Sequence, residues 1–200
     1  MKKAKAIVLV DGQNFLNKVN EVIDKESVKP SSLDILNIQL RDLITNVFQP
    51  YKDINIKDIY YYSAKIRMHP KTKKKSYQLI ANHRQLKNNL EKQGIKCIKA
   101  GNVRAQEEKA GKGKTKITFK EKGVDVRISV DMVSFACDKK YDVLILCSSD
   151  SDIQPAVSES RKRGSQVYYL GFAMSPNKGL MYTTNQTILF RNPEIIASVK

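Results

Sequence analysis

Asp150 and Asp152 stand one residue apart, directly behind the apolar run "VLILC", and Asp11 stands behind another, "AIVLV". Carboxylates are hard oxygen donors that repel one another when gathered. Two like charges about 4 Å apart cost roughly 4 kcal/mol at an effective dielectric near 20. A group of three or four acids demands a proton, a basic partner or a metal. An all-oxygen donor set with open water positions suits Mg²⁺ or Mn²⁺, and such an ion can activate water and neutralise charge on a phosphoryl group. Singly, each acid has a plainer reading. Asp152 can cap the helix that follows, with Pro155 tolerated in its first turn. Asp150 can be an ordinary turn residue, and Asp11 with Gly12 can make a tight turn. The metal reading requires the acids to meet.

They meet if their two strands are central neighbours in a parallel sheet, where ligands bind at the carboxyl ends of the strands. "AKAIVLVDGQN" reads as a strand ending at Asp11-Gly12. Leu33, Leu36, Leu40, Leu43, Ile44 and Val47 fall at helical spacing over 32–48, with Ser31 or Ser32 as the cap. "NIKDIYYYSAKI" reads as a strand, 76–93 as a helix stopped by Gly94, and "IKCIKAG" as a strand. Residues 101–122 are rich in glycine and lysine and read as an exposed hairpin or loop. Over 123–138, alternation from Val124 to Met132 fits a strand, while Val124, Ile128, Met132 and Phe135 mark one helical face. Length favours the helix. A strand from Tyr141, a helix over 152–163, Gly164 and the strand "SQVYYLGF" follow. Beyond Ser175 the pattern predicts one more helix and an irregular end. Strands alternating with helices imply an α/β fold with a mainly parallel sheet.

Composition narrows the partner. The chain has 200 residues, 41% hydrophobic and 28% charged, which supports a packed core rather than disorder. Its apolar runs are far shorter than the roughly 18–20 residues of a membrane span. The start is basic, then apolar, but Asp11 interrupts it and no small-residue cleavage site follows, so the expectation is a cytoplasmic protein. Cys97, Cys137 and Cys147 form no CxxC pair, and with two histidines they make no zinc pattern; reduced, mostly buried thiols are expected. The net charge of +16 favours a polyanion, nucleic acid before an anionic membrane. The cations cluster: Lys65, Arg67, His69, Lys71, Lys73, Lys74 and Lys75; then Lys109, Lys112, Lys114, Lys116, Lys120 and Lys122; then Arg161, Lys162 and Arg163. Contacts of this kind grip phosphates without reading sequence. Tyr60, Tyr61, Tyr62 and Tyr77 can stack on bases or fill the core. His69 and His83 are not needed by a carboxylate site. Gln13 occupies the place where a haloacid-dehalogenase-type phosphatase wants its second acid, and no P-loop run exists. Nothing indicates an oligomer.

The segments "VLVDGQN", "KGVDVRISVDM" and "VLILCSSDSDIQPAV", followed by "RKRGSQVYYLG", resemble the NYN domains, PIN-like nucleases that include LabA-like bacterial proteins. The likeness runs over roughly residues 5–172, with the motifs in the family's order. It implies a Rossmann-like, PIN-type three-layer α/β/α sandwich with a mainly parallel central sheet, and helix rather than strand over 123–138. It divides the chain into a nuclease domain over 1–175 and an extension over 176–200 packed on it. The activity implied is a divalent-metal endoribonuclease using Mg²⁺ or Mn²⁺, acting mainly on RNA, with DNA as a secondary partner. Asp11, Asp125, Asp150 and Asp152 match the family's catalytic and metal-holding acids; Asn14, Asp131 and Ser149 stand behind them. Asp125 also has a plainer reading, as an exposed helix-start acid. Lys65, Arg67, Lys73, Lys74, Lys75, Lys112, Lys114, Lys116, Lys122, Arg161 and Arg163 are the expected nucleic-acid contacts. Two departures stand out: Ser149 and Ile153 replace a Gly and a Phe, and Asn185 aligns with an acid of the family's last helix. A nucleic-acid-binding module with little catalysis is the alternative.

Overall fold

The computed structural model describes residues 3–26, 34–68, 70–109 and 115–199. Seven strands form one sheet: β1 (Ala4–Asp11), β2 (Ile54–Lys65), β3 (Lys96–Lys109), β4 (Thr115–Lys122), β5 (Val143–Cys147), β6 (Gln166–Phe172) and β7 (Gln186–Phe190). Their order is β4-β3-β2-β1-β5-β6-β7. All neighbours run parallel except β3 and β4, which pair antiparallel as a hairpin. Seven α-helices accompany them among the described residues: α1 (Gly12–Lys25), α2 (Leu40–Phe48), α3 (Lys73–Lys92), α4 (Val124–Cys137), α5 (Gln154–Lys162), α6 (Lys178–Thr183) and α7 (Asn192–Ser198). None is long and apolar enough to cross a membrane.

The central strands explain the frame. β1 sends Ala6, Val8 and Val10 into one apolar cluster and Ile7 and Leu9 into another. β5 does the same, and all five of its residues are buried. A strand covered on both faces needs no polar alternation, which is why both runs are continuous. Residues of α1, α2, α3 and α7 join the first cluster, and residues of α4, α5 and α6 the second.

Several local expectations shift. The segment 12–25, assigned no element from sequence, is helix. Asp11 caps it rather than ending a turn, and Phe15, Val19, Val22 and Ile23 form its buried face. The helix expected over 32–48 is interrupted. A 3₁₀ turn at Ile35–Asn37 is capped by Asp34, and α2 starts only at Leu40. Tertiary bonds claim the backbone between them: Ile38 O accepts from Asn89 and Gln93 side chains, and Gln39 N donates to Ser198 O. The candidate caps Ser31 and Ser32 lie outside the described residues. Helix wins over 124–137, where Val126 and Val130, which a strand would bury with Val124, are 61% and 55% exposed. The tail holds a strand as well as helix, with β7 completing the sheet beside β6. Of the cysteines only Cys147 is buried; Cys97 is half-buried and Cys137 exposed.

Candidate active site

Parallel pairing of β1 with β5 places Val10 opposite Cys147, so the chain following each strand emerges side by side. Asp11 is 7% exposed. Its Oδ1 accepts from Asn14 N at 3.1 Å, closing the first turn of α1, and its Oδ2 accepts from Ser148 Oγ at 3.2 Å. Ser148 Oγ in turn accepts from Asp150 N at 3.1 Å, and Asp150 Oδ1 accepts from Asp152 N at 2.9 Å. Gly12 is forced by crowding: a Cβ there would lie 2.6 Å from the Tyr61 ring and from Tyr62 O.

The loop after β5 is held from two sides. Asn14 Oδ1 accepts from Ser149 N at 2.9 Å, and Asn177 Nδ2 donates to Ser149 O at 2.8 Å. Asn177 also caps α6 through Leu180 N. The backbone of Ser149 is what the site uses, and its φ is not positive, so the turn does not require the Gly it replaces. Asn185 lies elsewhere. Its N and Oδ1 bond Val167 at the start of β6, on the edge opposite the acids. Asn177, which sequence alignment passed over, supplies the late-chain contact instead.

Asp125 arrives from α4. Gly123, at φ 88°, turns the chain from β4 into that helix. Asp131 lies two turns further along and holds α4 in place: its carboxylate accepts from Tyr62 OH and pairs with Arg127 Nε, both at 2.9 Å. Asp125, Asp150 and Asp152 each offer an oxygen within 4.8 Å of the others. Asp11, Asp125 and Asp150 line one open cavity of about 440 Å³.

A fourth acid lines that cavity and was missed from sequence. Glu121, on β4, accepts a hydrogen bond from Ala64 N. It sits in a lysine-rich stretch, but alternation puts it in one row with Phe119, a carboxylate beside an aromatic ring on the same strand face. Burial, with Asp11 and Asp125 adding repulsion, pushes its pKa up to about 7. Burial likewise raises Asp11, and the charges of Asp150 and Asp125 push the same way, against the pull of its bonds from Asn14 and Ser148. Among the described residues no ion pair engages Asp11, Glu121, Asp125, Asp150 or Asp152.

The family model of the NYN domain matches residues 5–189, nearly the whole chain. The chain belongs to the NYN domain family. That family is of the PIN-like nuclease type, and the acidic cluster lies within the matched domain. No curated protein matches the chain. A crystal structure of a protein of unknown function from Vibrio parahaemolyticus shares the fold, with a TM-score of 0.51, 18% identity, and coverage of 94% of this chain and 93% of that one.

The basic residues of this NYN domain divide. Lys122 lines the acidic cavity. Lys65 and Arg67 are exposed at and just beyond the end of β2, on the acid edge. Lys73, Lys74 and Lys75 occupy the first turn of α3, which holds no acid and has no side-chain cap. Cations are disfavoured at a helix start, and an anion there would reverse the penalty. Lys116 belongs to β4; Lys112, Lys114 and His69 lie outside the described residues. Arg161 and Arg163 depart from expectation. They end α5, near the start of β6 and away from the acids, where Arg161 donates to Thr183 O and Arg163 pairs with Glu159, both at 2.7 Å. Tyr61 and Tyr62 are core, and Tyr77 is 59% exposed.

Proposed function

We propose that this NYN domain is a divalent-metal-dependent endoribonuclease, built as a three-layer α/β/α domain with the elements after residue 175 as part of the same unit. One observation carries the reading: carboxylates from β1, the β5–α5 loop and α4 converge, with no cation paired to them among the described residues, at an edge that also carries Lys122. The donor set fits Mg²⁺ or Mn²⁺, being all carboxylate with neither His nor Cys. Asp125, Asp150 and Asp152 would hold the ion, with Asp11 facing the same space. Bound there, it would supply charge neutralisation at the phosphoryl group and activation of water.

The chain's own residues do the rest. Asn14 and Asn177 hold the Ser149 backbone and so fix Asp150. Ser148 bridges Asp11 and the Asp150 amide. The Asp131–Tyr62 bond seats α4 on β2 and sets Asp125. Lys122, Lys65 and the lysines of α3 attract the phosphodiester backbone.

Asp150→Asn and Asp11→Asn are each expected to lower Mn²⁺- or Mg²⁺-dependent cleavage of RNA by at least about a hundredfold while retaining RNA binding, a loss scaled to removal of a key electrostatic stabiliser. Cleavage at the wild-type rate in both variants refutes the reading. Comparing single-stranded and structured RNA and DNA, with and without metal, fixes the substrate class.

A further inference from the structure

A second cavity, of about 390 Å³, opens beside the acidic one, and both have Gln13, Asn17 and Glu121 in their walls. Its other sides differ in kind. Leu16 of α1, Tyr61 of β2, Ile66, and Leu79 and Leu86 of α3 make them apolar. A third hollow, of about 480 Å³, continues past Ile66 and Leu79 to Lys75 and Phe119, where the ammonium lies 5.4 Å from the ring centre. The groove therefore runs from the carboxylates, across an apolar hollow, to a cation on an aromatic ring. Hydrolysis of a phosphodiester at the acids uses only its first part.

Apart from Glu121, which it shares with the acidic cavity, the polar groups of the hollow are mostly side-chain amides. Gln13, Asn17 and Asn20 recur at helical spacing along one side of α1. Gln13 Nε2 donates to Asn17 Oδ1 at 2.8 Å, which leaves the Gln13 carbonyl oxygen and the Asn17 NH₂ group available. Across from them stand Asn82 and His83 of α3, the imidazole 3.0 Å from Ser63 Oγ. Apolar walls with mixed donors and acceptors beside them suit a nucleobase, which is apolar on its faces and polar on its edge. Asn and Gln are the side chains that pair with base edges through one donor and one acceptor. A cavity of a few hundred Å³ suits a single small ligand, and Lys75 and Lys122 stand where flanking phosphates would pass.

We propose that this hollow holds the base next to the cleaved phosphodiester in a single-stranded nucleic acid, making cleavage base-selective at that one position. The inference rests on the reading that the acidic cavity takes the phosphodiester. A base paired in a duplex cannot enter, because it must first leave its stack.

The direct test needs no catalysis. In the Asp150→Asn protein without added metal, the His83 imidazole resonances are followed by NMR while dinucleotides or ribose 5-phosphate are added. A saturable shift with dinucleotides is expected, with affinities differing by about tenfold between bases and reduced about fivefold or more in an added Asn17→Ala change. No shift with any dinucleotide, or an equal shift with ribose 5-phosphate, overturns the proposal. The second arm is Mn²⁺-dependent cleavage of a randomised single-stranded RNA pool. One base class should be enriched at a single position beside the cut, and Asn17→Ala should flatten that enrichment. Even cutting overturns the base pocket and leaves the nuclease reading standing. Dinucleotide binding without any cleavage supports the pocket and counts against the nuclease reading.

Discussion

Glu121 shows how one side chain can register the charge around it. Its folded pKa of about 7 lies above the ordinary value of 4.5, so the folded state holds a proton that the unfolded chain has already released. Stability from this group is complete below pH 4.5 and is lost as pH rises through 7. Burial and the neighbouring acids, not a favourable partner, cause the shift. Glu121→Gln is therefore expected to flatten the fall in stability between pH 4.5 and 7.5, by about 1–2 kcal/mol once solvent screening is discounted. Chemical denaturation across that range, comparing variant with wild type, checks it; identical pH profiles would remove the electrostatic account of Glu121. Saturating Mg²⁺ or Mn²⁺ should flatten the wild-type profile in the same direction, because a dication relieves the same repulsion.

At the scale of elements, Asn177 separates two roles within one side chain: its carbonyl oxygen caps α6 and its NH₂ group holds Ser149 O. Asn177→Asp keeps the cap and loses the donor. Asn177→Ala loses both. Thermal melting should show Asn177→Ala less stable by about 1 kcal/mol and Asn177→Asp near wild type, while metal-dependent cleavage falls in both. Unaltered cleavage by Asn177→Asp would show that the contact does not place Asp150. These elements also show what was legible beforehand. β1 and β5 were readable because burial on both faces leaves an unbroken apolar run, and from them alone Asp11 and Asp150 could be brought together. α1 was not, because Asp11-Gly12 carries a turn signal whether the Asp ends a strand or caps a helix; only packing of Phe15 and Val19 decides. β7 is a five-residue strand whose identity comes from pairing with β6 rather than from its own periodicity. Glu121 escaped notice because β4 is defined by its ladder with β3, while its composition is that of a loop. Asp125 was recovered through the resemblance alone, since nothing local distinguishes it from an acid favoured by a helix start.

Across the whole molecule, the excess of positive charge is unevenly placed. The acid edge carries Lys65, Arg67, Lys122 and the start of α3, whereas Arg161 and Arg163 are occupied at the other end. Lys73→Glu with Lys74→Glu should therefore stabilise the protein while weakening binding. Stability is expected to rise by roughly 0.3–1 kcal/mol per position, since the changed charges complement the helix dipole. The dependence of log K on log salt for single-stranded RNA should become shallower by about 0.7 per lysine removed. Binding unchanged across a salt titration would place the nucleic acid elsewhere. The aromatic trio of Phe15, Phe172 and Phe190 has a bearing on biosynthesis. Phe190 meets both other rings, at 6.3 Å and 5.4 Å between centres, and thus seats the helix that begins at Asp11. During translation, the first acid leaves the ribosome long before the ring that seats its helix, so a half-made chain threaded among ribosomal RNA carries Asp11 but neither its partner acids Asp125, Asp150 and Asp152 nor Phe190.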